Sequence, residues 1–229
     1  MRILALYEEI LLLALREEQG TPESGVWLPQ ALGGAMLAEL LIQGRLEVEG
    51  EGRKQVVRAV GEAGSAEDIL EARWREVRDA AKPGTLRDWV RRFANNRDLR
   101  HQVAAPLVEV GILDFDERKV LLLFTRKVYP EADGGPEARI WKRLEAAVFG
   151  EADDVDARTV VLLSLADAAN LLKLRFERKE LRARKERIAQ VVNGEKSGAA
   201  AREVIRELQS AVLVAAIMPA MISATVASH

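Results

Sequence analysis

Leu40-Leu-Ile-Gln-Gly-Arg-Leu-Glu-Val48 and Leu107-Val-Glu-Val-Gly-Ile-Leu-Asp-Phe115 carry one pattern twice, 67 residues apart. Each opens on apolar residues suited to the last turn of a helix, meets a glycine, and then begins a strand. Glycine just past a helix is the residue that accepts the left-handed backbone needed to stop it. After Gly44, Leu46-Glu-Val-Glu49 alternates as a half-buried strand does, Glu49-Gly-Glu-Gly52 is turn material, and Gln55-Val-Val-Arg-Ala-Val60 returns. After Gly111 the same reading puts a turn at Asp116-Glu-Arg-Lys119 and a returning strand at Val120-Leu-Leu-Leu-Phe124. Two helix–glycine–hairpin units suggest an internal duplication.

Outward from these units the periodicity is helical. The spacing predicts helices over 3–16, 29–43, 66–80, 85–93, 137–149, 156–192 and 199–226, with loops at Gln19–Gly25 and Asp133-Gly-Gly-Pro136. The expected fold is therefore mainly α: a single compact multi-helix globule over residues 1–229, with β-hairpins in its N-terminal half. The apolar run 211–226 is 16 residues long and contains Pro219, short of the ~20 residues that cross a bilayer, and reads as a buried C-terminal helix.

Composition narrows the function. A net charge of −2 gives no global field for nucleic acid, so any anion site must be local. With no cysteine there is neither disulfide nor thiolate chemistry. His101 and His229 are the only histidines, which leaves little for a triad or a histidine metal site. Asp153, Asp154 and Asp156 sit where a helix starts, and capping explains them without a metal. Gly194-Glu-Lys-Ser-Gly198 lacks the earlier glycine and strand of a phosphate loop and reads as an interhelical connection. Glu8 and Glu9 diverge on a helix and suit rim charges or buried end partners better than an acid–base pair. No catalytic residue, cofactor or metal is expected.

Two features point to an anion. In Asn95-Asn-Arg-Asp-Leu-Arg-His101, Arg97 and Arg100 stand three apart, which on a helix places two guanidinium forks on one side. Trp27 and Leu28 follow the loop that ends at Gly25, where an indole and a leucine could enter a membrane interface. Residues 173–187 carry a net charge of +5, with Leu174, Leu181 and Ile188 in a stripe. They read either as a solvated helix with pairs such as Glu180–Arg184 or as a contact with an anionic membrane.

Several stretches together resemble the Golgi phosphoprotein 3 family of phosphatidylinositol 4-phosphate-binding peripheral membrane proteins. They are Glu8-Glu-Ile-Leu-Leu-Leu-Ala-Leu15, Gly33-Gly-Ala-Met-Leu-Ala-Glu-Leu-Leu-Ile-Gln-Gly-Arg45, Arg97-Asp-Leu-Arg100 with Leu107–Leu113, and Arg158-Thr-Val-Val-Leu-Leu-Ser-Leu-Ala166. The resemblance implies a headgroup site of one Trp and three Arg, of which Trp27, Arg97 and Arg100 match. The third arginine falls at Gly33 or a neighbour, where nothing basic stands. It further implies a non-enzymatic adaptor for the tails of membrane glycosyltransferases, and self-association through the hairpin containing Val120–Phe124. The expected location is cytoplasmic and peripheral to a membrane, at the Golgi only in a eukaryote. Lacking the N-terminal extension of eukaryotic relatives, the chain is similar to a compact bacterial-type member. Two alternatives accompany this reading: a winged-helix-like DNA-binding regulator, and a protein-only adaptor that has lost lipid binding.

Overall fold

The computed structural model describes residues 2–50, 55–64, 68–120, 124–151 and 155–195. The mainly helical expectation holds: ten helices and two antiparallel two-stranded sheets are present among these residues, the first sheet in the N-terminal half and the second just past the midpoint. The expected C-terminal helix at 199–226, its apolar run and Asp153–Asp154 lie outside the described residues.

Two helices form the centre. All nine residues of α1 (Leu6–Ala14) are buried, and so is α2 (Leu28–Ile42) from Ala31 through Leu41. A helix that is apolar on every side belongs inside a protein, and α2 is enclosed by α1, by α4 (Leu86–Ala94) and by α7 (Ala157–Ala168). Burying each Leu or Ile stabilises the fold by about 1.5–3 kcal/mol. Around this centre lie α3 (Ile69–Arg78), α5 (Leu99–Glu109) and α6 (Gly135–Phe149). Asp156 caps α7 as predicted, and Thr85 caps α4. Thr85 accepts from the Asp88 amide at 3.3 Å, and Asp156 accepts from the Thr159 amide at 2.9 Å.

Both glycine stops are real. Gly44 (φ +65°) and Gly111 (φ +70°) take the left-handed conformation, and each is followed by the same pair of closing bonds. Gly44 donates to the Leu41 carbonyl at 3.0 Å and Arg45 to Leu40 at 2.9 Å; Gly111 donates to Val108 at 3.0 Å and Ile112 to Leu107 at 2.9 Å. The first hairpin, β1 (Leu46–Glu49) with β2 (Val56–Ala59), runs as the alternation predicts.

The second hairpin corrects the sequence reading. Its strands are β3 (Asp116–Val120) and β4 (Phe124–Val128), so the residues taken for the turn are the first strand. Val120 pairs with Phe124. Residues 116–119 and 125–127 are exposed, so both faces of the strands are wet and no apolar alternation marks them. Most of the segment proposed for self-association, Leu121–Leu123, lies outside the described residues.

The expected long helix over 156–192 is also broken. Asn170 adopts φ +63°, and the chain continues as α8 (Leu172–Arg175), α9 (Arg178–Ala183) and α10 (Lys185–Val192). The Glu180–Arg184 pair does not form: the Glu180 carboxylate turns back to the Glu177 amide at 2.9 Å, and Arg184 stacks over Phe149 at 6.0 Å.

Charges buried in the core join distant helices. Glu39 of α2 is 6% exposed and accepts from the Leu6 amide at 2.7 Å and from Arg158 at 3.1 and 3.2 Å. Arg158 also donates to the Leu4 carbonyl at 2.6 Å. Glu9 is paired with Arg143 at 2.8 Å, and Glu8 with Arg2. Glu8 and Glu9 are thus buried end partners, as their positions allow.

Candidate functional site

The turn Asn95–Asp98 leads from α4 into α5, and the Asn96 side chain shapes it by accepting from the Asp98 amide at 2.9 Å. Arg97 is in this turn, ahead of the first helical residue Leu99. The two arginines therefore do not project from one helix face, as the spacing suggests; the Asn pair interrupts the helix. Arg97 is exposed, and among the described residues it makes no hydrogen bond or ion pair. Arg100, in the first turn of α5, is half-buried and donates to the Lys127 carbonyl of β4 at 3.1 Å. Burial works against its charge, and so does the neighbouring guanidinium of Arg126.

Next to it, His101 Nδ1 meets the Tyr129 hydroxyl at 2.9 Å with the rings 5.6 Å apart. Burial, then the charges of Arg100 and Lys127, push the His101 pKa below the usual histidine value, while Asp98 opposes them. The imidazole is therefore neutral near pH 7 and adds no charge. What the site offers is a set of cations: Arg97 in the turn before α5, Arg100 on α5, and Arg126 and Lys127 on β4. Elsewhere arginines are engaged by acids: Arg45 and Arg75 by Glu71, Arg143 by Glu9, Arg158 by Glu39. Among the described residues neither Arg97, Arg100 nor Arg126 has a carboxylate within ion-pair distance.

Trp27 stands at the N-cap of α2 and is half-exposed. Among the described residues, no hydrogen bond, ion pair or ring contact joins it to Arg97 or Arg100. Leu28 departs from expectation. It is 4% exposed and part of the core, because it begins the first turn of a helix whose whole circumference is covered, so it is not available for membrane insertion. Gly33 explains its own lack of charge. A Cβ there would lie 2.8 Å from the Val90 carbonyl oxygen and 3.0 Å from the Ala94 amide nitrogen. At this point α2 and α4 touch backbone to backbone, and no side chain fits between them. The same burial removes α2 as a DNA-reading helix.

A second polar cluster lies behind the loop that follows α1. Carboxylate oxygens of Glu17, Glu131 and Glu137 fall within 4.8 Å of one another, beside a cavity of about 300 Å³ lined in part by Arg16, Trp141 and Arg175. Burial first, and then the charge of Glu131, raise Glu137 to about 7, although it accepts from Trp141 Nε1 at 2.8 Å. The folded chain thus holds a proton that the unfolded chain releases near pH 4.5. Its stabilising effect is complete below that pH and is lost as pH rises through about 7. Glu137→Gln keeps the acceptor for Trp141 and removes the charge. Thermal melts at pH 8 should show a Tm gain of roughly 2–4 °C over the parent, shrinking to none at about pH 4, below the unfolded value of 4.5. An equal shift at both pH values would exclude this titration.

The structure is a mainly helical body in which one exposed hairpin lies against α5 and its basic side chains. Residues 6–208 match the family described as Golgi phosphoprotein 3 (GPP34), and the chain belongs to that family. It is also similar to the vacuolar protein sorting-associated protein 74 of Schizosaccharomyces pombe (strain 972), with 27% identity over 204 residues. That match takes in 74% of this chain and 59% of the yeast protein, so the chain spans about three-fifths of that relative's length. Of the stretches that carried the resemblance, those in α2 and α7 are joined through the core by the Glu39–Arg158 pair. Among the described residues, no helix is long and apolar enough to cross a membrane.

Proposed function

We propose that this protein is a peripheral membrane protein that grips anionic phospholipid headgroups, of the phosphatidylinositol 4-phosphate kind, with Arg97 and Arg100. The half-exposed indole of Trp27 lies at headgroup level, and Leu28 takes no part. The observation that carries this reading is Arg100, half-buried without a carboxylate in a protein whose other buried or half-buried arginines are mostly paired, with the exposed Arg97 three residues before it. A guanidinium left without an anion beside a second cation is poised for phosphate. Family membership and the sorting function in the yeast relative's name support an adaptor role, in which the bound protein holds the tails of membrane enzymes such as glycosyltransferases.

Vesicle sedimentation tests the lipid part. Phosphatidylcholine vesicles carrying phosphatidylinositol 4-phosphate should pull down the parent protein. Arg97→Ala with Arg100→Ala should cut the apparent affinity at least about a hundredfold, since each charge-assisted contact is worth roughly 1.5–3 kcal/mol. Raising the salt should weaken the remaining attraction. Binding that is equal on neutral vesicles and indifferent to the double substitution would leave the protein-only adaptor.

A further inference from the structure

Strand β4 brings a fourth basic side chain family to the place where Arg100 ends. Arg100 Nη2 is fixed on the Lys127 carbonyl, so its guanidinium lies against the backbone of residues 126–128. Successive strand residues face opposite ways, and Arg126 therefore shares a face with Val128, which is 1% exposed against the body. Arg126 thus rises from the body-facing side of the strand, next to α5.

The hairpin register makes this placement costly without a ligand. Arg126 is directly opposite Arg118 in the β3–β4 ladder, and like charges in that relation destabilise a hairpin. Arg118 escapes by turning to Asp116 at 3.4 Å and to the Glu18 carbonyl at 3.2 Å. Arg126 has no such outlet among the described residues and faces another cation instead. Departures from local charge rules of this sort gather at functional sites.

We propose that Arg126 is the third cation of the anion site, closing with Arg97 and Arg100 on the dianionic oxygens of a phosphomonoester. The inference rests on the lipid-binding reading above and adds to it a residue and a charge preference. Three guanidinium groups suit the two negative charges of a terminal phosphate better than the single charge of a phosphodiester.

The test compares vesicles of phosphatidylcholine doped with phosphatidic acid, which presents a monoester, against vesicles matched in charge with phosphatidylglycerol, a diester. The parent protein should prefer the first. Arg126→Gln should weaken that binding about ten- to a hundredfold, with a Tm no lower than the parent's, because it removes the like-charge pair with Arg118. Lys142→Gln, an exposed control on α6, should have little effect. Titration with inorganic phosphate separates the sources: an Arg126-dependent response to free phosphate without vesicle binding assigns the site to a soluble phosphate and keeps the role of Arg126. If the parent binds and the Arg97/Arg100 double variant does not, while Arg126→Gln binds like the parent, the inference fails and the lipid-binding reading survives. Equal losses from Arg126→Gln and Lys142→Gln mean diffuse attraction and also overturn it. A parent protein that binds no vesicle and no phosphate removes both.

Discussion

Arg158→Met should cost about 3–5 kcal/mol of stability, the range for removing one partner from a buried ion pair. The reason is the company Glu39 keeps. Its carboxylate is almost wholly buried and receives two bonds from Arg158 and one from the Leu6 amide. Without Arg158 the charge stays in the core with only the amide and the Gln43 side chain, 3.3 Å away, to solvate it. The Leu4 carbonyl loses its donor at the same time. Urea unfolding would show this as a lower midpoint with an unchanged slope. Adding Glu39→Gln to Arg158→Met should recover a good part of the loss, because the neutral amide needs no counter-charge. A single variant within 1 kcal/mol of the parent would mean that the network is incidental to the fold.

The second large effect is expected at Gly20. Its φ is +61°, and a Cβ would stand 2.2 Å from the Tyr129 carbonyl carbon and 2.3 Å from the Pro130 nitrogen. Those atoms are backbone and cannot rotate away. Gly20→Ala must therefore push the loop off the end of β4 and break the bond from the Tyr129 amide to the Gly20 carbonyl, 2.9 Å long. A loss of about 3–5 kcal/mol is expected, in the class of overpacking combined with backbone strain. Gly25 is the internal control. It also has positive φ, +79°, but its Cβ would meet nothing within 4 Å. Gly25→Ala should thus cost only about 1 kcal/mol, from the left-handed backbone alone. Two alanines in one loop with equal melting temperatures would refute the steric account. Because Tyr129 holds His101 and Lys127 holds Arg100, vesicle binding should fall in Gly20→Ala even below its melting point.

What could be read in the sequence was what rests on local chemistry. Gly44 and Gly111 were legible as helix stops because only a residue without Cβ adopts that backbone readily. Asp156 was legible as a cap because a short carboxylate at a helix start can accept from the free backbone amides. The hairpin β3–β4 was misplaced by a few residues. Its strands leave the body, so Asp116-Glu-Arg-Lys119 is as polar as a turn, and the apolar run at 121–123 looks like a strand that packs. The break at Asn170 was invisible because no glycine or proline marks it. For the site, Arg97 and Arg100 could be picked out, but the helix assumed beneath them ignored Asn95-Asn96, a turn signal already in view. Arg126 was missed altogether. Its relation to Arg100 depends on a strand register and on a bond between residues 27 apart, neither of which any short motif encodes. The same distance hid Glu39 and Arg158, which lie 119 residues apart.

The base of the hairpin is stitched to the segment after α1 at three points. Tyr129 donates to Gly20, Glu131 to Glu17, and Arg118 to the Glu18 carbonyl. Such a seam leaves little slack between the protruding strands and the helical body. A load on β3–β4 is passed directly into α1 and the core rather than absorbed by a swivel. On a flat surface the molecule would then stand at one inclination, fixed by that seam.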